Sequence, residues 1–539
     1  MKTVDCWTRF EAEFASAQDY ENPTQDVEIR AEFESPSGRH LKILGFWDGG
    51  RTWKVRFSPD EIGEWSYGTN CNHPEDAGLH DQEGIFKCRP YQGENPLYLH
   101  GGIGLSTNRR YLAHADGTPF FWLADTAWNG ALLSDREGWR EYLAERASKG
   151  FTVVQFITTQ WRAAHTDGDG EVNYTGKERI AINPKFYQRL DEKFDEVNEA
   201  GLVAAPILLH AAPFGDNPEI SPGYSLPADQ AILLALYQVA RYGAHRVVWT
   251  LGGDSDYTGD DLEKWLSIGR GVFGQHKRPS DAEHPQDAKR HLATMHPKGK
   301  HWLLKEYGHQ SWYDLVTYQS GHGDNDEALA WLVQGPPSTD WRLEPVLPFI
   351  NVEPNYEAHI AYHSRQPITD FMVRRAAYWS LLVSPTAGVT YGANGIWSWQ
   401  EKPGVPLDHP RVGIAPPWRQ AINFPGSTHM KHLKAFFSSI EWWRLRPAQE
   451  ILAHQPGEEA VRRNITAGFT EEKDLGVIYI PEDRAVEIKT DLFPSPMLGE
   501  WFNPRDGART TIGTVENKGM HKFETPGDGD WVLVLKAAE

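Results

Sequence analysis

Cysteine, basic clusters and apolar runs of membrane-spanning length are scarce or missing in this chain of 539 residues. Its three cysteines are Cys6, Cys71 and Cys88. An odd and small number of cysteines does not form a disulfide framework and is typical of a reducing compartment. No stretch approaches the roughly 20 apolar residues that span a bilayer. Because the start, MKTVDCWTRFEAEF, lacks an apolar signal core, we expect a cytoplasmic protein without a membrane partner.

Basic residues are also outnumbered, since 54 Lys and Arg face 74 Asp and Glu, for a formal net charge of −20. Phosphate binding needs clusters of Lys and Arg, and none occurs, so we expect no nucleic acid partner. A GxxxxGK[ST] phosphate loop is absent, and so are the HExxH and H-x-H spacings of metal sites. We therefore expect neither a cofactor nor a metal. Whether the chain forms a homo-oligomer stays open.

Aromatic residues are abundant instead, at 12% of the chain, with 22 tryptophans. Most of these rings are expected in the core. A surplus of Trp and Tyr in an acidic protein also suits stacking on sugar rings. The composition therefore favours a carbohydrate as the partner.

The chain divides into three stretches of different texture. Residues 1–92 consist of short β-branched or aromatic runs separated by turn formers, which predicts an N-terminal β-sandwich. Residues 448–539 repeat this texture and predict a small antiparallel C-terminal β-domain, a second sandwich. Between them, residues 93–447 alternate apolar strands with amphipathic helices.

The middle stretch predicts an α/β fold of the (β/α)₈ TIM-barrel type. A doubly wound open sheet is the alternative, but it would favour a Gly-rich phosphate loop after an early strand. The eight predicted strands cover residues 120–126, 152–158, 202–210, 247–251, 292–297, 312–322, 347–354 and 388–397.

Two carboxylates stand at the ends of predicted barrel strands. The fourth strand runs into Gly252-Gly253-Asp254, and the seventh ends at Glu353. Alone, Asp254 could serve a turn and Glu353 could lead a helix. In a barrel, however, the carboxyl ends of the strands share one mouth, so the two acids face each other there. Glycoside hydrolysis needs such a pair, and we predict that Asp254 and Glu353 are catalytic.

Other polar and aromatic residues at the strand ends are candidates for substrate binding. The histidines among them lie on different strands, so hydrogen bonds to sugar hydroxyls are favoured over metal ligation. Asp125 could instead cap a turn, and Glu357 could be a partner of Glu353 or a surface acid. The full set is Asp125, Trp128, Gln155, Trp161, His210, His296, His322, Glu357, Tyr391 and Trp397.

Several segments resemble the apiosidase-like glycoside hydrolases: FFWLADTAW, VVWTLGGD, VEPNYE and RRAAYWSLLVSPTAGVTYGANGIW. The C-terminal EWFNPRDG and GDGDWVLVL resemble the collagen-binding-type β-domain that follows such barrels. The N-terminal stretch resembles an uncharacterised β-sandwich module often found ahead of them. The resemblance implies that Asp254 is the general acid/base and Glu353 the nucleophile.

The predicted function is a retaining glycosidase that acts on a glycoside or an oligosaccharide. Two alternatives are a non-catalytic carbohydrate-binding scaffold and a polysaccharide lyase. A lyase would need Lys or Arg near the pocket to neutralise a uronate, whereas the strand ends supply mainly acids and histidines. The loops after the second and fourth strands look individual, so the sugar stays open.

Overall fold

A computed structural model describes residues 1–274, 291–482 and 484–538 of the chain. At its N-terminus, a five-stranded sheet of order β1-β8-β7-β3-β4 and a three-stranded sheet of order β2-β6-β5 share one apolar core. Buried and more exposed side chains alternate along the strands of this sandwich. In β2, for example, Phe10, Ala12 and Phe14 are buried and the residues between them are not. The strands are β1 Lys2–Asp5, β2 Phe10–Ala15, β3 Ile29–Glu34, β4 His40–Leu44, β5 Phe46–Gly49, β6 Thr52–Phe57, β7 Gly63–Cys71 and β8 Glu83–Arg89, with helix α1 at Pro23–Asp26.

A short connection leads into the barrel and closes its lower end. Helix α2 (Pro96–Leu99) precedes a small antiparallel sheet of β9 (Ile103–Leu105), β10 (Leu112–His114) and β11 (Pro119–Phe120). Leu97, Ile103 and Leu112 pack with the apolar side chains that point into the barrel. The amino ends of the barrel strands are therefore plugged, and the mouth lies at their carboxyl ends.

Eight parallel strands form the barrel sheet within the described residues, in the order β18-β17-β16-β13-β12-β21-β20-β19. The two outer strands close on each other, since the Asp314 N–H donates to the Ala293 carbonyl and the Asp314 carboxylate accepts from the Ala293 N–H, both at 2.9 Å. The predicted TIM barrel is thus confirmed. Its strands are β12 Trp122–Thr126, β13 Val153–Ile157, β16 Val203–His210, β17 Trp249–Ser255, β18 Ala293–Pro297, β19 Val316–Tyr318, β20 Phe349–Asn351 and β21 Gly388–Tyr391; β14 (Tyr174–Thr175) and β15 (Ala181–Ile182) form a hairpin between β13 and β16.

Amphipathic helices cover the outside of the barrel. In α5, Phe186, Leu190 and Phe194 share the buried face, and Asn183 caps the amino end by accepting from the Lys185 N–H at 3.2 Å. None of the helices in the described ranges is long and apolar enough to cross a membrane. The helices are α3 Gly130–Leu133, α4 Arg136–Ser148, α5 Pro184–Glu199, α6 Pro222–Ser225, α7 Ala228–Tyr242, α8 Leu262–Phe273, α9 Leu304–Tyr307, α10 Asp326–Gln334, α11 Pro336–Thr339, α12 Asp370–Leu382, α13 Trp418–Ala421 and α14 Pro425–Ser438.

The C-terminal stretch forms the predicted antiparallel β-domain. A six-stranded sheet of order β22-β23-β24-β29-β26-β27 packs with the two-stranded β25-β28 around its own core. The strands are β22 Leu445–Pro447, β23 Thr466–Thr470, β24 Leu475–Ile480, β25 Ala485–Lys489, β26 Met497–Phe502, β27 Arg509–Val515, β28 Met520–Glu524 and β29 Trp531–Ala537.

Buried ion pairs fasten both flanking domains to the outer helices of the barrel. Arg56 on β6 and Arg241 on α7 both bind Asp191 on α5, each with a 2.7 Å contact. On the other flank, Arg374 on α12 binds Asp530 at 2.9 Å. Because a buried charge without its partner is costly, these pairs fix where each domain sits.

Candidate active site

The barrel mouth brings the two predicted carboxylates together. Asp254 lies near the end of β17 with φ +67°, and Glu353 lies two residues beyond β20. The glycines before Asp254 are required by packing, because a Cβ on Gly252 would come within 2.8 Å of Trp265 and one on Gly253 within 2.9 Å of Ile207. The Gly-Gly-Asp turn thus places its carboxylate at the mouth.

Glu353 is held between two histidines. The His296 Nε2 lies 3.3 Å from one carboxylate oxygen and the His322 Nε2 lies 3.1 Å from the other. The side chain is only 13% exposed. Burial alone would raise the pKa of Glu353, but the hydrogen bonds with the two histidines hold it well below its usual range. This carboxylate is therefore ionised at neutral pH.

Asp254 has the opposite electrostatic environment. Burial raises the pKa of Asp254, and the negative charge of Glu353 raises it further. A neighbouring amide, Gln319, lies 3.1 Å from the Asp254 Oδ1 and 2.8 Å from the His296 Nε2. Environments that push two neighbouring carboxylates in opposite directions separate a proton donor from a permanent anion.

Aromatic rings and histidines surround the carboxylates. The Trp128 ring packs edge-on to His296, with centroids 5.1 Å apart, and the Trp161 ring lies 4.6 Å from His210. On the same side, His409 packs against Trp397 at 4.8 Å. All of these side chains are buried or nearly so. They form a wall suited to the apolar faces and hydroxyls of a sugar.

Gln155 braces the floor of the pocket. Its amide donates to the Val352 carbonyl at 3.1 Å and to the Thr126 hydroxyl at 3.3 Å. Because Val352 directly precedes Glu353, Gln155 positions the backbone that carries this carboxylate.

Residues 106–444 match the family described as the apiosidase-like catalytic domain, over more than half of the chain. The chain belongs to the apiosidase-like family. Residues 3–72 match a domain family of unknown function, and residues 446–536 match one described as a collagen-binding domain of a collagenase. The resemblances predicted for all three stretches are thus confirmed.

Solved structures show the same architecture. A glycoside hydrolase is 25% identical, with a TM-score of 0.69 over 83% of this chain and 99% of its own. A glycoside hydrolase family 5 structure from Bacteroides vulgatus ATCC 8482 is 21% identical, with a TM-score of 0.69 over 83% of this chain and 95% of its own. A second structure from that organism, described as a glycoside hydrolase, is 18% identical and covers both chains fully with a TM-score of 0.73. The curated proteins give no significant match. Family and fold together indicate a glycosidase.

In this apiosidase-like chain, the prediction that Asp125 binds sugar is wrong. Its carboxylate faces away from the barrel interior, where the Arg146 Nε lies at 2.5 Å and the Tyr142 hydroxyl at 2.8 Å. Neither Asp125 nor Arg146 is exposed to solvent. Asp125 therefore joins β12 to α4 and does not reach the pocket.

Tyr391 and Glu357 are likewise outside the pocket. The Tyr391 hydroxyl donates to Glu357 at 2.6 Å, and the Gly426 N–H donates to the same carboxylate oxygen at 2.9 Å. Gly426 lies in the first turn of α14, whose free N–H groups favour an anion. Glu357 is thus a buried anchor for α14, which corrects its prediction as a substrate ligand.

Arg162 is a pocket residue that the sequence did not predict. It is 8% exposed, its guanidinium lies 2.6 Å from the His409 Nε2 and 4.8 Å from the centre of the Phe214 ring, and it stands close enough to Asp254 to lower the pKa of that acid. Its position directly after Trp161 was the available signal. The pocket therefore contains an arginine from the loop after β13, in addition to the acids and histidines predicted from the strand ends.

The described part of the chain contains no cluster of side chains suited to a metal ion. Among residues 1–274, 291–482 and 484–538, no group of three His, Cys, Asp or Glu side chains is arranged to hold an ion. The histidines instead bond to protein partners, as His210 does through Nδ1 to the Ser221 hydroxyl at 2.9 Å.

Proposed function

We propose that this chain is a retaining glycosidase with Glu353 as nucleophile and Asp254 as acid and base. Glu353 attacks the anomeric carbon while Asp254 protonates the leaving oxygen, which gives a glycosyl-enzyme ester. Asp254 then takes a proton from water, and the water oxygen displaces Glu353. The observation that carries this proposal is the opposite shift of the two pKa values at one barrel mouth.

The two histidines orient the nucleophile. The Tyr356 N–H donates to the His322 Nδ1 at 3.4 Å, so that nitrogen is an acceptor and the proton sits on Nε2. The Nε2–H then donates to Glu353 at 3.1 Å. In this neutral tautomer His322 stabilises the ionised Glu353 through a hydrogen bond to one carboxylate oxygen, while the His296 Nε2 lies 3.3 Å from the other.

The aromatic wall supplies the surface on which the sugar rests. Trp128, Trp161 and Trp397 stand around the two carboxylates with most of their surface already buried. The hydroxyls of a sugar would bond to His210 and His296 at the rims of these rings. We assign no catalytic part to the two β-domains.

Parallel assays of wild type and Glu353→Gln on a panel of 4-nitrophenyl glycosides and oligosaccharides test this proposal. We expect wild type to hydrolyse at least one substrate and the variant to lose on the order of 10⁴-fold or more in kcat. Asp254→Asn should lose much less on 4-nitrophenyl glycosides, whose leaving group needs no proton, than on oligosaccharides.

The stereochemistry is read by NMR of the first anomer released. Retention supports a covalent intermediate on Glu353, and inversion contradicts it. Full activity of Glu353→Gln contradicts the assignment of the nucleophile. A product with ultraviolet absorption from a uronate polymer points to a lyase, with Arg162 as the group that neutralises the uronate.

A further inference from the structure

A loop after β21, residues 404–415, which we call the cap loop, leaves the barrel and returns to its starting point. Gly404 and Ala415 close its base by exchanging backbone hydrogen bonds of 3.1 and 2.8 Å. Inside the loop, the His409 N–H donates to the Pro406 carbonyl at 3.0 Å. The segment is thus a compact loop with its own internal contacts.

The cap loop reaches both sides of the barrel mouth. Asp408 accepts from the Asp216 N–H at 2.9 Å, in the segment after β16. On the opposite side, Arg365, in the segment after β20, donates to the loop backbone at 2.9 Å. Since β20, β21, β12, β13 and β16 are consecutive neighbours in the barrel, the loop extends along this whole arc of the mouth.

Arg162 fastens the cap loop beside the catalytic acid. Its guanidinium donates to the Asp408 carbonyl at 3.1 Å and lies 2.6 Å from the His409 Nε2. The His409 ring in turn packs on Trp161 and Trp397, with centroids 5.8 and 4.8 Å apart. The tip of the loop therefore touches the rings that we assign to sugar binding.

We propose that the cap loop turns the mouth into a pocket for one terminal sugar, so that the enzyme removes single residues from the non-reducing end. This inference rests on the glycosidase function proposed above. An enzyme that cleaves inside a polymer needs a cleft open on both sides of the scissile bond. Here the cap loop covers the rim of the mouth from β16 to β20, so the mouth is closed on that side. Because Arg162 binds the loop in this position, it determines the preference for chain ends over internal bonds.

The test uses the sugar identified in the glycoside screen, as a hexasaccharide with a fluorescent label at its reducing end. Wild type should release monosaccharide from the first time points and leave labelled fragments that shorten one residue at a time. Arg162→Gln should raise KM for the hexasaccharide at least 10-fold and produce short labelled fragments early, because two charge-assisted contacts to the loop are lost.

Replacement of residues 405–414 by two glycines is a second variant, for the case in which Arg162→Gln does not fold. It should also release internal fragments from the hexasaccharide at early time points. The matched control is Arg140→Gln on α4, an exposed arginine paired with Glu196, which should keep the wild-type pattern.

Internal fragments from wild type at early times overturn the role of the cap loop but leave the glycosidase function in place. An unchanged pattern in both loop variants also overturns it. Failure of wild type to hydrolyse any glycoside overturns the proposed function, and this inference with it.

Discussion

Asp125→Asn removes the negative charge from a fully buried ion pair. The Arg146 guanidinium lies 2.5 Å from Asp125 and has no exposed surface. Removing one partner of such a pair costs about 3–5 kcal/mol, because the remaining charge is left in a poorly solvating interior. Arg146 also contacts Glu145, which offsets part of this loss, so we expect about 3 kcal/mol.

Urea unfolding followed by tryptophan fluorescence measures the loss. With a slope of about 3 kcal/mol per molar urea, the midpoint of the barrel transition should fall by about 1 M. At low temperature and without urea, kcat/KM on the best glycoside should stay within about threefold of wild type, since Asp125 does not reach the pocket.

Two further variants isolate the ion pair. Glu141→Gln breaks an exposed ion pair, since the Glu141 side chain is 48% exposed and that of its partner Arg419 is 47% exposed. This control should lower the free energy of unfolding by less than about 1 kcal/mol. Asp125→Asn combined with Arg146→Met should recover stability, because neither charge remains. An Asp125→Asn enzyme with wild-type stability and a large loss in kcat/KM would refute this reasoning and return Asp125 to the pocket.

Four further predictions concern the site. The pH profile of kcat/KM should have an acid limb well below the usual pKa of a glutamate, because Glu353 must be ionised and its pKa is lowered. The alkaline limb should lie above the usual pKa of an aspartate, because Asp254 must be protonated and its pKa is raised. His322→Leu should move the acid limb to higher pH and lower kcat about 10-fold or more; an unmoved limb would show that His322 does not hold the Glu353 charge. Gln319→Leu removes a bond that lowers the pKa of Asp254, so the alkaline limb should move to higher pH, and a shift to lower pH would contradict the bridge. Dialysis against EDTA should leave activity unchanged, and a loss that added divalent metal restores would show a metal requirement.

The sequence was sufficient to predict the barrel because its strands are read from their apolar content. Each predicted strand is present, though the sixth, predicted over 312–322, is ordered as a strand only at Val316–Tyr318. The polar tail of that segment leaves the sheet, and Gln319 and His322 on it turn towards the carboxylates. The general position of a strand end was therefore predictable, and the path beyond it was not.

Loop residues of the site were out of reach for the same reason. His409 lies in the cap loop, far along the chain from β21, and no local pattern shows that its ring returns to Trp161 and Trp397. Arg162 meets it only because the loops after β13 and β21 converge at the mouth. Such contacts depend on how the loops cross the barrel, which spacing in the sequence does not encode.

The two wrong predictions on barrel strands, Asp125 and Tyr391, have one physical cause. These residues are paired neighbours in the register of β12 and β21, so their side chains must lie on the same face of the sheet. That face is the outer one, where Arg146 binds Asp125 and lies 5.8 Å from the centre of the Tyr391 ring. A strand buried on both faces shows no alternation of polar and apolar residues, so the sequence does not reveal which of two adjacent positions points inward. The strand register does reveal which side chains point inward. Thr126 pairs with Gln155, whose amide lies within the barrel, so Thr126, the residue after Asp125, faces the pocket floor.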